Sequence, residues 1–139
     1  MKKTALLNQP ISSLIASLGH TDSLVICDAG LPIPTHSTRI DLALTSGVPS
    51  FIQTVQAVSS ELFIESAVIA EEIKQHSPAM HTQLLTLLTL IEQQQQRKIS
   101  VTYVTHAIFK QQTQQAKGII RTGECTPYAN IILHSGVPF

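Results

Sequence analysis

The sequence predicts an α/β protein, a single Rossmann-like domain over residues 1–139 with a mostly parallel central sheet flanked by helices. Three observations lead there. Residues 24–27 form a short unbroken apolar run between polar residues, as in a strand covered on both faces. Residues 99–105 alternate apolar and polar, the pattern of a strand. Apolar residues at helical spacing occupy stretches around these strands, as α/β layering requires.

Residues 10–19 read as a helix with both ends marked. Pro10 suits a first turn, where its missing N–H is not needed. Ile11, Leu14, Ile15 and Leu18 fall on one helical face. Gly19 fits a left-handed position just past the end, which would hold the backbone of His20. The strand at 24–27 follows, with Asp28 at its carboxyl end and Ala29-Gly30 turning the chain away. In open α/β sheets ligands bind outside the carboxyl ends of strands. His20, Asp22 and Asp28 around one strand are a possible acid/base set. Equally, an Asp there is often a turn former or helix cap, and a loop His often has no chemistry.

Leu31-Pro32-Ile33-Pro34 reads as rigid extended loop, because each proline disfavours α geometry in its predecessor. Ser37 or Thr38 would cap a short helix ending at Gly47. Residues 48–58 read as a second strand with Pro49 at its entry. Arg39 and Asp41 read as a surface pair or part of a subunit contact. Residues 60–76 read as a helix with Glu61 and Glu65 in its first turns, complementing the dipole. Ser77-Pro78 would stop it and start the next helix, whose apolar face carries Leu84, Leu87, Leu88 and Ile91 and which Arg97 and Lys98 close. On helical geometry His76 and His81 do not share a face, which argues against a metal pair.

His106 follows the alternating strand and precedes a helical stretch at 107–116. If its strand is a parallel neighbour of the first, His106 and Asp28 meet at one sheet edge; otherwise it is a helix-start histidine with no ligand. In the tail, the apolar runs 119–120 and 131–133 flank a turn-rich segment. Tyr128 and Asn130 are two apart, so in extended chain they face one side. A phenol and a carboxamide suit a polyhydroxylated ligand; a buried tyrosine plus a turn asparagine fits the spacing as well.

Composition narrows the function classes. Lys+Arg and Asp+Glu are 9 each, so there is no basic excess for nucleic acid or an anionic membrane. A charged fraction of 13% suggests surface covered by other subunits, although uncharged polar side chains solvate a surface as well. Cys27 and Cys125 show no CxxC or zinc spacing, and Cys27 within an apolar strand reads as a reduced thiol, which fits the cytosol. The start, residues 1–7, resembles the head of a signal peptide, but Asn8-Gln9-Pro10 interrupts it, and no stretch is apolar enough to span a bilayer. There is no glycine-rich phosphate loop and no ligand cluster, so no cofactor and no metal are expected.

Several blocks carry a family resemblance: Gly19-His20-Thr21-Asp22, residues 27–34, Arg39-Ile40-Asp41, residues 47–51 and residues 121–130. Together they resemble the sugar-anomer isomerases, the family of the ribose pyranases and L-fucose mutarotases, with the ribose branch much the closer. The resemblance spans the chain. It implies a cytoplasmic α/β protein acting on D-ribose, assembled as a decamer of two stacked pentameric rings, with sites in clefts between adjacent subunits. It places the acid/base histidine on His20 and the sugar-binding positions on Asp28, His106, Tyr128, Ala129 and Asn130. It assigns nothing to His36, to residues 79–96 or to His134. A rival of another class is a non-catalytic sugar-binding or regulatory subunit of a ribose uptake system, which would use the same polar residues without proton transfer.

Overall fold

A computed structural model describes residues 1–139. In chain order the elements are α1 (Gln9–Ser17), β1 (Ser23–Cys27), β2 (Arg39–Asp41), α2 (Phe51–Ser59), β3 (Ile64–Ala70), α3 (Ile73–His76), α4 (Pro78–Gln95), β4 (Ser100–Val104), α5 (His106–Thr113), β5 (Gly118–Arg121) and β6 (Ile131–Ser135). The strands form one sheet in the order β2-β5-β1-β6-β3-β4. β1 and β2 each pair parallel to β5, and β3 pairs parallel to β4. β6 alone runs antiparallel, against both β1 and β3. The sheet is therefore mostly parallel, as the sequence predicts. No helix is long and apolar enough to cross a membrane.

All five residues of β1 are buried, because it lies inside the sheet with helices on both faces. Leu24 and Ile26 point into the larger core layer with Ile11, Phe51 and Leu84. Val25 and Cys27 point into the smaller layer with Leu31 and Phe109. Burying a side chain such as Ile26 is worth about 1.5–3 kcal/mol, so truncating it would remove one of the strand's main anchors. Burial, with help from the neighbouring Asp28 charge, pushes the Cys27 thiol up to about 12, which leaves it protonated and unreactive.

Three stretches depart from the expectations. Residues 48–58 are not a strand: Ser50 and Gln53 form a capping box, and Phe51, Val55 and Val58 bury one face of helix α2. Residues 60–76 are not one helix. They form strand β3, then the single turn of α3, so Glu61 and Glu65 sit in no helical first turn. The last four residues of β3 are buried in succession, which erases the alternation that marks a half-exposed strand. Residues 37–47 hold strand β2 and a turn rather than a helix; Gly47 there has φ +79°.

Smaller departures concern the helix ends. α1 ends at Leu18 in extended backbone, and the left-handed residue is Thr21, at φ 69°, rather than Gly19. Gly19 instead donates its N–H to Asp22 Oδ2 at 2.9 Å. The Ser77 hydroxyl does not cap α4; it donates to the carbonyl of Pro127 at 2.7 Å. α4 ends at Gln96, left-handed at φ 58°, so Arg97 and Lys98 lie beyond it. His76 and His81 lie on different helices, α3 and α4.

Candidate functional site

Asp28 leaves the carboxyl end of β1 and is fixed there by three bonds. Its N–H donates to Asn130 Oδ1 at 2.9 Å, and Asn130 Nδ2 donates to its Oδ2 at 3.0 Å. Its Oδ1 accepts from Gly30 N at 2.9 Å. Asn130 is completely buried, so this amide cannot trade its partners for water. Thr122 ties the same corner by donating its hydroxyl to the Cys27 carbonyl at 2.8 Å. Asp28, Ala29 and Gly30 line a cavity of about 390 Å³ together with Glu124, Cys125, Thr126 and Pro127.

His106 is the first residue of α5, immediately after the Thr105 cap. Its backbone N–H is shared between both carboxylate oxygens of Glu72, each at 2.9 Å. That bond holds the Glu72 carboxyl below its ordinary range. Burial, then the charge of Lys110, pushes the His106 imidazole down, so the ring favours its neutral form. Its Nδ1 is buried and has no hydrogen-bond partner.

Tyr128 joins these parts. Its ring centroid lies 5.1 Å from that of His106, edge to face, and 5.1 Å from that of His76. Its backbone is left-handed at φ 62°, and its carbonyl accepts from Asn130 N at 2.9 Å. The segment is thus a tight turn, not extended chain. Tyr128 and Asn130 consequently face different partners: the phenol meets the histidines and the amide locks Asp28. Ala129 is buried between them, with its N–H on the Thr126 carbonyl at 3.3 Å.

Asp28 and His106 occupy the same end of the sheet, yet their strands are not neighbours. β6 and β3 separate β1 from β4, and Tyr128 bridges the gap. His20 lies elsewhere. It precedes β1 at the opposite edge, and the strand between it and Asp28 spans about 17 Å at roughly 3.3 Å per residue. Within one chain His20 meets Glu65 instead, Nε2 to Oε2 at 2.6 Å. Asp28, His106, Tyr128, Ala129 and Asn130 therefore converge, and His20 does not join them.

Glu65, Glu72 and His76 were missed by sequence reasoning. The signal that finds them is a strand at 64–70, which sets Glu65 near its start and Glu72 just past its end. Arg39 and Asp41 do pair, at 3.5 Å, and Arg121 adds bonds of 3.1 Å to both Asp41 oxygens. No three His, Cys, Asp or Glu side chains come together as a metal-binding group. A larger groove of about 720 Å³ runs between α2 and α4, but uncharged residues such as Gln56, Thr82, Thr86 and Leu90 line it, and it holds no acid or base.

Residues 1–138 match the model of the RbsD / FucU transport protein family. The chain is similar to the D-ribose pyranase of Pasteurella multocida (strain Pm70), with 63% identity over 139 residues and complete coverage of both chains. It is 60% identical, again over 139 residues and both full lengths, to the D-ribose pyranase of Haemophilus influenzae. Among solved structures it superposes on Bacillus subtilis RbsD complexed with D-ribose at a TM-score of 0.89, with 42% identity and 100% of each chain covered. The fucose mutarotase of Streptococcus pneumoniae, solved with L-fucose, shares the fold at a TM-score of 0.80, with 19% identity and 99% of each chain covered.

Proposed function

The chain belongs to the RbsD / FucU transport protein family, and from that premise we propose that it is a D-ribose pyranase, an isomerase interconverting β-D-ribopyranose and β-D-ribofuranose. The observation that carries this reading is the 63% identity to a D-ribose pyranase along the entire chain. The similarity to a ribose-bound RbsD supports D-ribose as the ligand.

The chemistry asks little of the protein. The anomeric hydroxyl loses a proton, the ring oxygen gains one, and the bond from C1 to the ring oxygen breaks to give the aldehyde. Rotation brings the C4 hydroxyl to C1, which closes the furanose as that hydroxyl loses its proton and the carbonyl oxygen gains one. No hydride moves and no carbon–carbon bond breaks. A placed acid/base group typically contributes about 10²–10⁴-fold, and a histidine both accepts and donates near neutral pH.

In this reading His20 is the acid/base group, while Asp28, His106, Tyr128, Ala129 and Asn130 bind sugar hydroxyls. The neutral His106 ring and its unpartnered Nδ1 suit a hydroxyl donor. Asp28, oriented by Asn130, accepts from another. Because His20 stands at the far edge of its own sheet, the site is completed by His20 from a neighbouring copy. A site shared between copies needs an assembly, and the family resemblance extends this to a decamer of two pentameric rings in the cytoplasm.

Magnetisation transfer in D-ribose at equilibrium tests the activity. One saturates the β-pyranose anomeric proton and observes the furanose pool. Catalytic amounts of the protein should increase the transfer. A non-catalytic sugar-binding subunit would instead broaden or shift the ribose signals with transfer unchanged, and that outcome would replace the enzyme reading.

A further inference from the structure

Glu65 is the extra residue of a β-bulge. Ile64 pairs with Ser135 and Ser66 pairs with His134, so β3 spends two residue steps where β6 spends one. Bulges re-aim a side chain out of the ladder and are over-represented beside active sites. Here the bulge delivers the Glu65 carboxylate to His20 Nε2 at 2.6 Å, the short distance of a charge-assisted bond.

Both partners are stitched to the same point of β6. On the His20 side, Thr21 N donates to the Ser135 carbonyl at 2.8 Å, and Ser135 N donates to the Asp22 carbonyl at 2.8 Å. Thr21 is held left-handed at φ 69°, unusual for a β-branched residue, directly beside His20. On the Glu65 side, Gly136 N donates to the Phe63 carbonyl at 2.9 Å. A Cβ at Gly136 would stand 3.0 Å from the Glu65 Cβ and 3.0 Å from the Phe63 ring. A side chain there would push on both neighbours, and the bulge and the His20 loop share one hydrogen-bonded seam. Other charges nearby are engaged or held back. Asp22 accepts from Gly19 N and pairs with Lys117 at 3.7 Å, while burial pushes the His134 imidazole down.

We infer that Glu65 is the positioning residue of His20, fixing the ring so that Nδ1 is presented to the sugar as the acid/base atom. This rests on the reading of His20 as the acid/base group. A carboxylate only accepts, so Nε2 must carry the hydrogen, and in the neutral ring Nδ1 then holds the free lone pair. When Nδ1 takes the proton from the anomeric hydroxyl, Glu65 faces the imidazolium and stabilises it. Nδ1–H then returns that proton to the ring oxygen. The logic is that of an oriented base in a catalytic dyad.

The test combines ribose exchange kinetics with proton NMR of the assembled protein, for the wild type, Glu65→Gln, Glu65→Leu and His20→Ala. The wild type should show a downfield ring N–H resonance that vanishes in His20→Ala. In Glu65→Leu that resonance should be lost and kcat should fall about 10- to 100-fold, the range of a charge-assisted bond, with KM for ribose changed less than about twofold. Glu65→Gln keeps an acceptor carbonyl, so it should retain a shifted resonance and lose less than Glu65→Leu. If both variants keep wild-type kcat while His20→Ala loses it, the positioning role is wrong and the catalytic His20 stands. If His20→Ala itself retains full exchange, the acid/base reading fails and the inference falls with it.

Discussion

Asp28 and Asn130, 102 positions apart in sequence, hold each other by two reciprocal hydrogen bonds. The amide oxygen takes the Asp28 backbone N–H and the amide nitrogen serves its carboxylate. The carboxylate therefore has one orientation before any sugar arrives, the kind of preorganisation that a binding site needs.

Replacing Asn130 should damage stability and binding together. Asn130→Ala leaves the Asp28 N–H without its partner at a buried corner, a loss of about 1–3 kcal/mol. Asn130→Asp keeps an acceptor for that N–H but sets a second carboxylate against Asp28. Denaturant unfolding should show both variants less stable, and ribose titration should show both weaker by about tenfold or more for a comparable loss. Wild-type affinity in Asn130→Asp would remove the pairing from the binding site.

His20→Ala should slow pyranose–furanose exchange by about 10²-fold or more while the fold and assembly persist. The imidazole projects from a loop and is half exposed, so its removal leaves no core cavity. Circular dichroism and light scattering would verify the fold and the assembly. Near wild-type exchange would exclude His20 from the chemistry.

The distance between His20 and Asp28 predicts complementation. His20→Ala and Asp28→Asn should each be inactive alone. After dissociation and joint reassembly at equal amounts, about one site in four should combine an intact His20 with an intact Asp28 from different copies, as random pairing across a heterologous interface gives. Exchange should reappear in the mixture. Its failure to do so, with mixed assemblies demonstrated by mass spectrometry, would mean that both residues serve from one chain.

Stability should decline in two stages as pH falls. Burial lowers the imidazoles of His106, His134 and His81 below their ordinary value of 6.5. Between the folded and unfolded values the unfolded chain binds more protons, so stability is full above about 6.5 and is lost as pH drops towards the folded values. Glu72 and Glu92 are held low by the backbone N–H groups of His106 and Ile99, so a second loss begins below about 4.5. Denaturant midpoints at fixed protein concentration should be level near neutrality, fall as pH drops below about 6.5, and fall further below about 4.5. A midpoint unchanged as pH falls below about 6.5 would contradict the lowered imidazoles of these partly buried histidines.

The core of this arrangement is legible in the sequence where local pattern and burial agree. The apolar run of β1 reveals the strand and places Asp28 at its carboxyl end. The alternation before His106 reveals β4 and the junction with α5. α1 and α4 show their faces through regularly spaced Ile and Leu. Residues 48–76 mislead because the signals conflict. Pro49 and the β-branched residues after it suggest a strand, whereas the Ser50–Gln53 box and the spacing of Phe51, Val55 and Val58 make a helix. β3 then hides because residues 67–70 are buried on both faces and carry no alternation. A single helix over 60–76 leaves Glu65 and Glu72 as surface positions, whereas the strand sets them near its two ends. The turn at Tyr128 is illegible for another reason: a left-handed tyrosine carries no compositional mark, and the contacts around it, Asn130 on Asp28 and the Tyr128 ring against His76, join residues far apart in sequence.

The antiparallel strand β6 also governs how the sheet holds together. It sits between β1 and β3, so it is the only link between the sheet's two halves, β2-β5-β1 and β3-β4. It is nevertheless the last of the six strands in chain order. Without it the sheet would be two separate halves, with β1 and β3 as open apolar edges. Pairing with Ile131, Ile132 and Leu133 closes both edges at once and, through the bonds on Ser135, sets the His20 loop in the same event. The seal that joins the two halves of the sheet is thus also the anchor of the His20 loop.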